Sequence, residues 1–567
     1  MTKGALKLII CLFILIPIVL YFLVWDYYAI NIPKWDDHPL KGFIIEFANA
    51  QGWEAKLTTL VKQHNEHRIA LTRLITWIDY SIFGSIDYRH LMLAGNVLLL
   101  GIIPLWHILL RDNKKPLFAL VPVPFLWLSL AQWENMYWGM ASIQNFGVVT
   151  LTLWTLYLCV NARAMMFGLS LPLAVITIFT SPNGIFVLPI GALLIFLTGN
   201  RQRLALWILT SGAAVFYFFK GYVRTPFDPE TNRSIFQFLK GYMAFLGSFA
   251  ESFPVLDHFG VCVFIGSVLF LVAVSVASTT LFRIMRNKYA GKAEKTTDLF
   301  CLGTILFILG TALIVVYRRE GFGMEGLIAS KYKIYSILLL ITAYLYVVIP
   351  IRGSFLSPYI TAIVALAITF NVFSYHFHLV DANTLRKYLT TAQFNWTYTD
   401  KTLRPATDTS AAANVLAKTP VFYEKWLPLI QIADRQGFAG DTRLLTELFD
   451  QSNFKSIGDS ALIFSNKTFT SQRLQDSGIY LLLSSKDRFY VFPGYRARNT
   501  NRKELFLNQY YFAPGFRSEI SFANEGVSEG EYKVGIIRQQ GEQMGVLFRK
   551  DVIRVKETGK SKIKVNW

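Results

Sequence analysis

Charge is scarce in this chain. Of its 567 residues only 16% are Asp, Glu, Lys or Arg, 53% are hydrophobic, and the mean hydropathy is +0.38. Few soluble proteins have such a balance. Cysteine is scarcer still: Cys11, Cys159, Cys262 and Cys301 all fall in apolar runs, and none lies in the hydrophilic C-terminal third, which excludes a disulfide framework. There is no internal repeat and no low-complexity segment. The first apolar run, 5–30, lacks a small-residue cleavage site and is followed by more apolar runs, so it reads as a retained helix rather than a secretory signal. The short loops Gln132–Ser142 and Ser181–Gly184 contain no Lys or Arg.

What the chain does have is apolar runs of bilayer length. Runs at 5–30, 91–110, 117–131, 143–160, 165–180, 184–199, 203–220, 259–282, 298–317, 332–350 and 354–375 predict roughly eleven spans, at about 20 residues each. The basic residues sort by loop. Arg111, Lys114 and Lys115 follow the second run, Arg163 the fourth, Arg201 and Arg203 the sixth; Arg283, Arg286, Lys288, Lys292 and Lys295 follow the eighth and Arg352 the tenth. Their alternation with the base-free loops predicts a cytoplasmic N-terminus and an external C-terminus. The net charge of +19 and pI near 9.6 are then explained by loops facing anionic headgroups, and nucleic acid is not expected as a partner.

Three larger loops fall on the external side: 31–90, with apolar residues at helical spacing that predict surface helices; 221–260; and 317–331. From His376 the composition changes. Residues 376–460 predict a helical connector with an amphipathic stretch at Leu427–Ala433. From 461 to 567 the period becomes two: Ile479–Leu483, Phe489–Phe492, Glu519–Phe522 and Tyr532–Ile537 predict strands, and Gly494, Gly515, Gly530 and Gly541 punctuate them. The expected fold is mainly α, a polytopic helical bundle over 1–375, with a C-terminal α+β domain containing a small antiparallel sandwich. Its tyrosines Tyr490, Tyr495 and Tyr510 are candidates for an exposed, sugar-stacking surface.

Four polar clusters carry the chemistry. Trp35-Asp36-Asp37-His38 follows the first run; a carboxylate beside a bilayer costs desolvation free energy and can serve as general base or metal ligand, or as a solvated helix cap. In Gln63–Arg68, His64 and His67 are spaced to share a helix face, with Glu66 and Arg68 beside them. In Gln132–Trp138, Trp133, Glu134 and Trp138 offer the aromatic faces and polar groups that suit a sugar ring, or an interfacial aromatic belt. In Tyr317–Lys333, Arg318, Arg319, Lys331 and Lys333 run against the positive-inside trend; a phosphate ligand would explain them, as would headgroup snorkelling. Ser181-Pro182-Asn183-Gly184 reads as a tight turn.

The clusters Asp36-Asp37, Asn65-Glu66-His67-Arg68 and Ser330-Lys331-Tyr332 together resemble the GT-C superfamily of polyprenyl-phosphate-sugar-dependent membrane glycosyltransferases, over about residues 1–375. The last resembles the family's Ser-Arg-Tyr element with Lys for Arg, which keeps the charge and loses the bidentate fork. The resemblance implies a bacterial inner-membrane enzyme with a periplasmic C-terminal domain. Its donor would be a polyprenyl-phosphate-linked sugar and its acceptor an envelope glycan or lipid. Asp36 or Asp37 would act as base, with Asp37 slightly preferred. His38, His64, Glu66, His67, Arg68, Trp133, Glu134 and Trp138 would position donor or acceptor, and Arg318, Arg319, Lys331, Tyr332 and Lys333 would bind the lipid phosphate. No cofactor is required; the carboxylates would also accept a divalent cation. A flippase or a polymerase of lipid-linked saccharides would share the location and the basic loops.

Overall fold

A computed structural model describes the chain except Met1, 224–233, Leu256, 291–294, Glu320, Phe322, 400–425, Gly437, 440–451, 458–460, 471–477, 541–542 and 557–567. Glu320 and Phe322 of the basic loop, Gly541 and much of the 376–460 connector thus lie outside the described residues. The chain divides into two compact units. One comprises 1–27, 43–84 and 89–378; the other comprises 28–42, 85–88 and 379–567.

The first unit is helical. Among the described residues, eight helices are long and apolar enough to cross a bilayer: Gly4–Tyr28, Tyr88–Asp112, Leu117–Met136, Arg201–Phe219, His258–Asn287, Thr296–Arg319, Ser330–Val348 and Gly353–Tyr398. They point to a multi-pass membrane protein. Leu8, Leu23, Leu209, Phe216, Leu271 and Phe282 are exposed on them, which suits lipid and not water. The run 143–160 folds as the helix Gly147–Cys159, continued backwards by a π turn, Ser142–Phe146. Two others of the eleven predicted runs fold as short helices, Ala164–Ile178 and Val187–Thr198, of 15 and 12 residues. At about 1.5 Å per residue each is shorter than the roughly 30 Å hydrocarbon layer. The predicted loop 221–260 contains a helix, Ile235–Leu246, whose apolar face packs on Leu327 and Val316.

Polar side chains tie these helices together, as hydrocarbon demands. Tyr21 donates to Asn96 Oδ1, and Asn96 Nδ2 donates to the carbonyls of Met92 (2.7 Å) and Met136 (3.1 Å). Asn183, in the predicted turn, folds inward and donates to Tyr335 Oη at 2.7 Å. All four cysteines are free thiols. Small residues permit the closest crossing: a Cβ on Gly266 would run into the Met243 carbonyl, and one on Gly247 into that of Cys262. Backbone obstructs both, so Gly266→Ala is expected to cost about 3 kcal/mol, the upper range for overpacking. Gly212→Ala, where the added methyl meets open space, is expected to be neutral or stabilising by about 0.5–1 kcal/mol. Equal melting shifts for the two variants in detergent would contradict this packing.

The second unit holds the β-structure. The long helix Leu356–Thr399 runs into it. Its strands are β3 (Phe438–Ala439), β4 (Ser452–Ile457), β5 (Ala461–Asn466), β6 (Ile479–Ser484), β7 (Phe489–Pro493), β8 (Phe516–Ser521), β9 (Gly530–Gln540) and β10 (Gln543–Val555); β1 (Gln63–His64) and β2 (His67–Arg68) belong to the first unit. One antiparallel sheet has the order β3-β10-β9-β6-β7, the other β4-β5-β8. Period two explains the packing. Ile479, Leu481 and Leu483 of β6 meet Leu462 and Phe464 of β5 and Ile520 of β8 in the core between the sheets. Tyr480 and Leu482 point the other way, onto Leu389, Phe394 and the helix Trp426–Gln436. Ile30 and Ile32 join that second core, so the segment after the first apolar helix packs with the C-terminal β-structure. Tyr490 is not the exposed stacking residue expected. It is fully buried and bonds Ser528 Oγ at 3.1 Å, because its position in β7 faces the inter-sheet core; Tyr495 and Tyr510 are half-buried.

Candidate functional site

The Asp36-Asp37 segment is built by a backbone conformation that side chains rarely adopt. Lys34 is extended, and Trp35 then takes φ +45°, in the left-handed region, which costs a non-glycine residue about 1–2 kcal/mol. The chain closes a 3-10 turn over Trp35–Asp37, and Pro39 opens the helix Pro39–Asn49, where its missing N–H is no loss. Asp37 Oδ2 accepts the Lys34 N–H at 3.0 Å, so this carboxylate does cap the turn. Yet the segment is not solvated. Lys34, Asp37, His38 and Lys41 are all nearly or fully buried, Asp36 is half-buried and Trp35 is exposed. Lys41 Nζ lies 3.4 Å from His38 Nδ1 and 5.4 Å from the Trp396 ring, and Lys34 Nζ lies 4.4 Å from the Trp35 ring. Ionisable groups are seldom buried in such density unless they balance one another. Sequence reasoning passed over Lys34 and Lys41. The available signal was a lysine on either side of the carboxylate pair, the second one helical turn after His38.

The Gln63–Arg68 cluster is not a helix. It is a hairpin, β1 (Gln63–His64) and β2 (His67–Arg68), with His64 paired opposite His67. Asn65 turns the chain at φ +49°, a conformation asparagine tolerates, and the polar hexapeptide has no apolar residue to hold a helix against the bundle. Arg68 is not presented to a ligand: it donates to the carbonyls of Phe218 and Lys220, both at 2.7 Å, and of Val61. Burial pulls its guanidinium below the usual range, and Tyr222 opposes the effect. Arg68 thus pins the hairpin to 218–220. Nearby Arg73 does the same for the end of the helix Gly52–Val61, donating to the Thr59 and Leu60 carbonyls, both at 3.2 Å. Glu66 Oε1 faces Arg319 Nη2 at 3.4 Å.

Arg318 and Arg319 are not loop residues; they form the last turn of the helix Thr296–Arg319, where cations complement the helix dipole. Two clusters far apart in sequence do meet. Ser330 Oγ accepts the Glu134 N–H at 3.1 Å and donates to the Ala131 carbonyl at 2.9 Å, and Asn135 Nδ2 donates to the Lys331 carbonyl at 3.0 Å. The Trp133–Trp138 segment therefore seats the Ser330-Lys331-Tyr332 turn. Trp133, Glu134, Lys331 and Tyr332 are half-buried, and Trp138 is buried; Lys331 Nζ sits 5.4 Å from the Tyr332 ring.

The expected convergence of Lys331 and Lys333 on one phosphate does not occur. Side chains two positions apart on a helical turn point to nearly opposite sides, and Lys333 points inward. It is 1% exposed, pairs with Glu251, and lies 3.3 Å from His378 Nε2, which Ser252 Oγ meets at 3.1 Å. Glu251, Ser252 and His378 carried no motif that would have singled them out. A second pair, the buried Asp79 Oδ1 with the half-exposed His90 Nδ1 at 2.7 Å, was likewise missed. Among the described residues no group of three or more His, Cys, Asp or Glu side chains gathers to hold a metal ion.

No family model, no curated protein and no solved structure matches this chain. The functional reading rests on the residues themselves.

Proposed function

We propose that the protein is an inverting glycosyltransferase that moves a hexosyl or pentosyl group from a polyprenyl-phosphate donor to an envelope glycan or lipid. The membrane would be the bacterial inner membrane, with the N-terminus cytoplasmic and the C-terminal unit periplasmic. The observation that carries this reading is the Lys34–Lys41 segment: two carboxylates directly after the first apolar helix, held by a strained Trp35 and embedded among buried Lys34, His38 and Lys41. Strain and buried charge are costs that a mere connector has no reason to keep.

The chemistry needs few parts. The acceptor hydroxyl attacks the anomeric carbon as the bond from that carbon to the phosphate oxygen breaks, and the phosphate leaves with the electron pair. A base takes the hydroxyl proton. Of the two carboxylates, Asp36 is the better candidate, because it is half-exposed whereas Asp37 is buried and spends one oxygen on the Lys34 N–H. Asp37 then positions the turn. Cations stabilise the departing phosphate; of the basic residues expected for that role, Lys333 is neutralised by Glu251 and Arg68 is spent on carbonyls. Ile30 and Ile32, just before the carboxylate segment, share a core with the C-terminal β-structure inside the second unit, which supports a role for that unit in presenting the acceptor.

A transporter of lipid-linked saccharides has one observation in its favour, the buried Lys333 and His378 with the half-buried Glu251 within the helical unit; buried ionisable groups among spans often mark a path. Purified protein given a polyprenyl-phosphate sugar and a membrane extract as acceptor separates the readings. Transfer releases free polyprenyl phosphate and labels an acceptor. An unconsumed donor that changes leaflet in vesicles would replace the enzyme with a transporter, and lengthening chains of repeat units would indicate a polymerase.

A further inference from the structure

A cavity of about 710 Å³ opens in the helical unit between three loops. Its walls are the end of the helix Ile103–Asp112, the start of the helix Thr296–Arg319 and the turn Ile351–Leu356. This volume suits a small-molecule site. Four cations line it: Lys114, Lys115, Lys295 and Arg352. The one lining carboxylate, Asp112, is engaged by Arg111 at 3.2 Å.

Basic residues at span ends are common, and ordinarily they spread outward to headgroups. These are held differently. Lys114 takes φ +57°, its N–H closing on the Arg111 carbonyl at 2.8 Å, so the chain doubles back. Lys115 then folds inward, half-buried, and donates to the Ile351 carbonyl beside Arg352. Burial, with the Arg352 charge added, pushes its ammonium below the usual lysine range. Asn113 Nδ2 bridges Leu109 and Thr297 Oγ1, at 2.8 and 2.7 Å, and fixes two walls together. The helices Thr296–Arg319 and Leu356–Thr399 both begin at the rim, adding the partial positive charge of their N-termini. Like charges are thus gathered around a space, an arrangement an anion would relieve.

We propose that this cavity binds a phosphate-bearing anion through Lys114, Lys115, Lys295 and Arg352. The same chemistry is offered by the headgroup of an anionic lipid and by a soluble phosphate. The site shares no residue with the carboxylate segment, and the inference stands whether or not the glycosyl-transfer reading does.

The full chain, purified in detergent, tests it. Binding of phosphatidylglycerol and of phosphatidylcholine is measured by native mass spectrometry, and binding of inorganic pyrophosphate by thermal shift. The comparison proteins are Lys295→Gln with Arg352→Gln, both at exposed positions where the fold is not at risk, and Arg201→Gln, an exposed cation outside the cavity. Phosphatidylglycerol preferred over phosphatidylcholine, weakened at least about tenfold in the double variant and unchanged in Arg201→Gln, establishes a lipid site; tenfold is a modest share of two charge-assisted contacts. Pyrophosphate binding with that same dependence establishes a soluble-anion site. Binding equal in the double variant and the parent, an equal loss in Arg201→Gln, or no binding of either anion overturns the proposal.

Discussion

If the proposed glycosyl transfer holds, Asp36→Asn is expected to lower it about a thousandfold, within the range for losing a general base, and to leave the melting temperature unchanged. Asparagine matches aspartate in shape and cannot take a proton. Asp36 is half-buried beside the exposed Trp35, so the substitution leaves no charge stranded in the interior. The expected loss is in kcat, with KM for the donor little altered, because in the proposed reaction the carboxylate would act on the acceptor hydroxyl in the transition state. Asp37→Asn behaves differently. The amide oxygen still accepts the Lys34 N–H, but a buried negative charge disappears from a segment holding the buried Lys34 and Lys41. That variant loses melting temperature and activity together. Initial-rate measurements on both single variants and the double variant decide the matter. Transfer at the parent rate in all three removes the carboxylates from the mechanism.

The second large effect is structural. Glu251→Gln strands the ammonium of Lys333, 1% exposed, and breaking one side of a buried ion pair costs about 3–5 kcal/mol. The Glu251 carboxylate is itself 27% exposed, which places the expectation near the lower end, about 3 kcal/mol. Removing both charges, Glu251→Gln with Lys333→Met, recovers most of the loss, because an apolar chain of similar length fills the space without a charge to solvate. The contact between His378 and Ser252 remains. Thermal scans in detergent at one fixed rate measure the cycle. A single variant as stable as the parent, or a double variant no better than the single, would show that the pair does not neutralise Lys333.

Hydropathy made the long helices legible, since about 20 apolar residues in a row have few other solutions. Period two made the C-terminal strands legible: Ile479–Leu483, Phe489–Phe492, Glu519–Phe522 and Tyr532–Ile537 all lie in or overlap strands of the two sheets. What failed depended on distant partners. Lys333 looked like one more loop cation until Glu251 and His378 were beside it. Arg68 looked ready for a ligand until three carbonyls claimed it. Tyr490 looked exposed because an alternating strand shows which residues share a face and not which face is covered. The hairpin at Gln63–Arg68 escaped because helical spacing of two histidines is weak where no apolar stripe supports it. Asp36 and Asp37 were visible from position alone, but the neighbouring buried lysines were not, since a lysine reads as solvated by default.

β6 has every residue buried, on both faces, and carries no charge. As the chain emerges from the ribosome, this Ile-Tyr-Leu-Leu-Leu stretch is a sticky ribbon. Its hairpin mate β7 follows at once, but its other neighbour, β9, begins only at Gly530. Until then one edge stands open to any other extended chain. The turn between β6 and β7 is Ser485-Lys486-Asp487-Arg488, three charges in succession directly after the ribbon. Charges in that position discourage stacking between copies. Truncation between β7 and β9 therefore favours aggregation over a smaller folded protein, and expression designs that stop there are the ones to avoid.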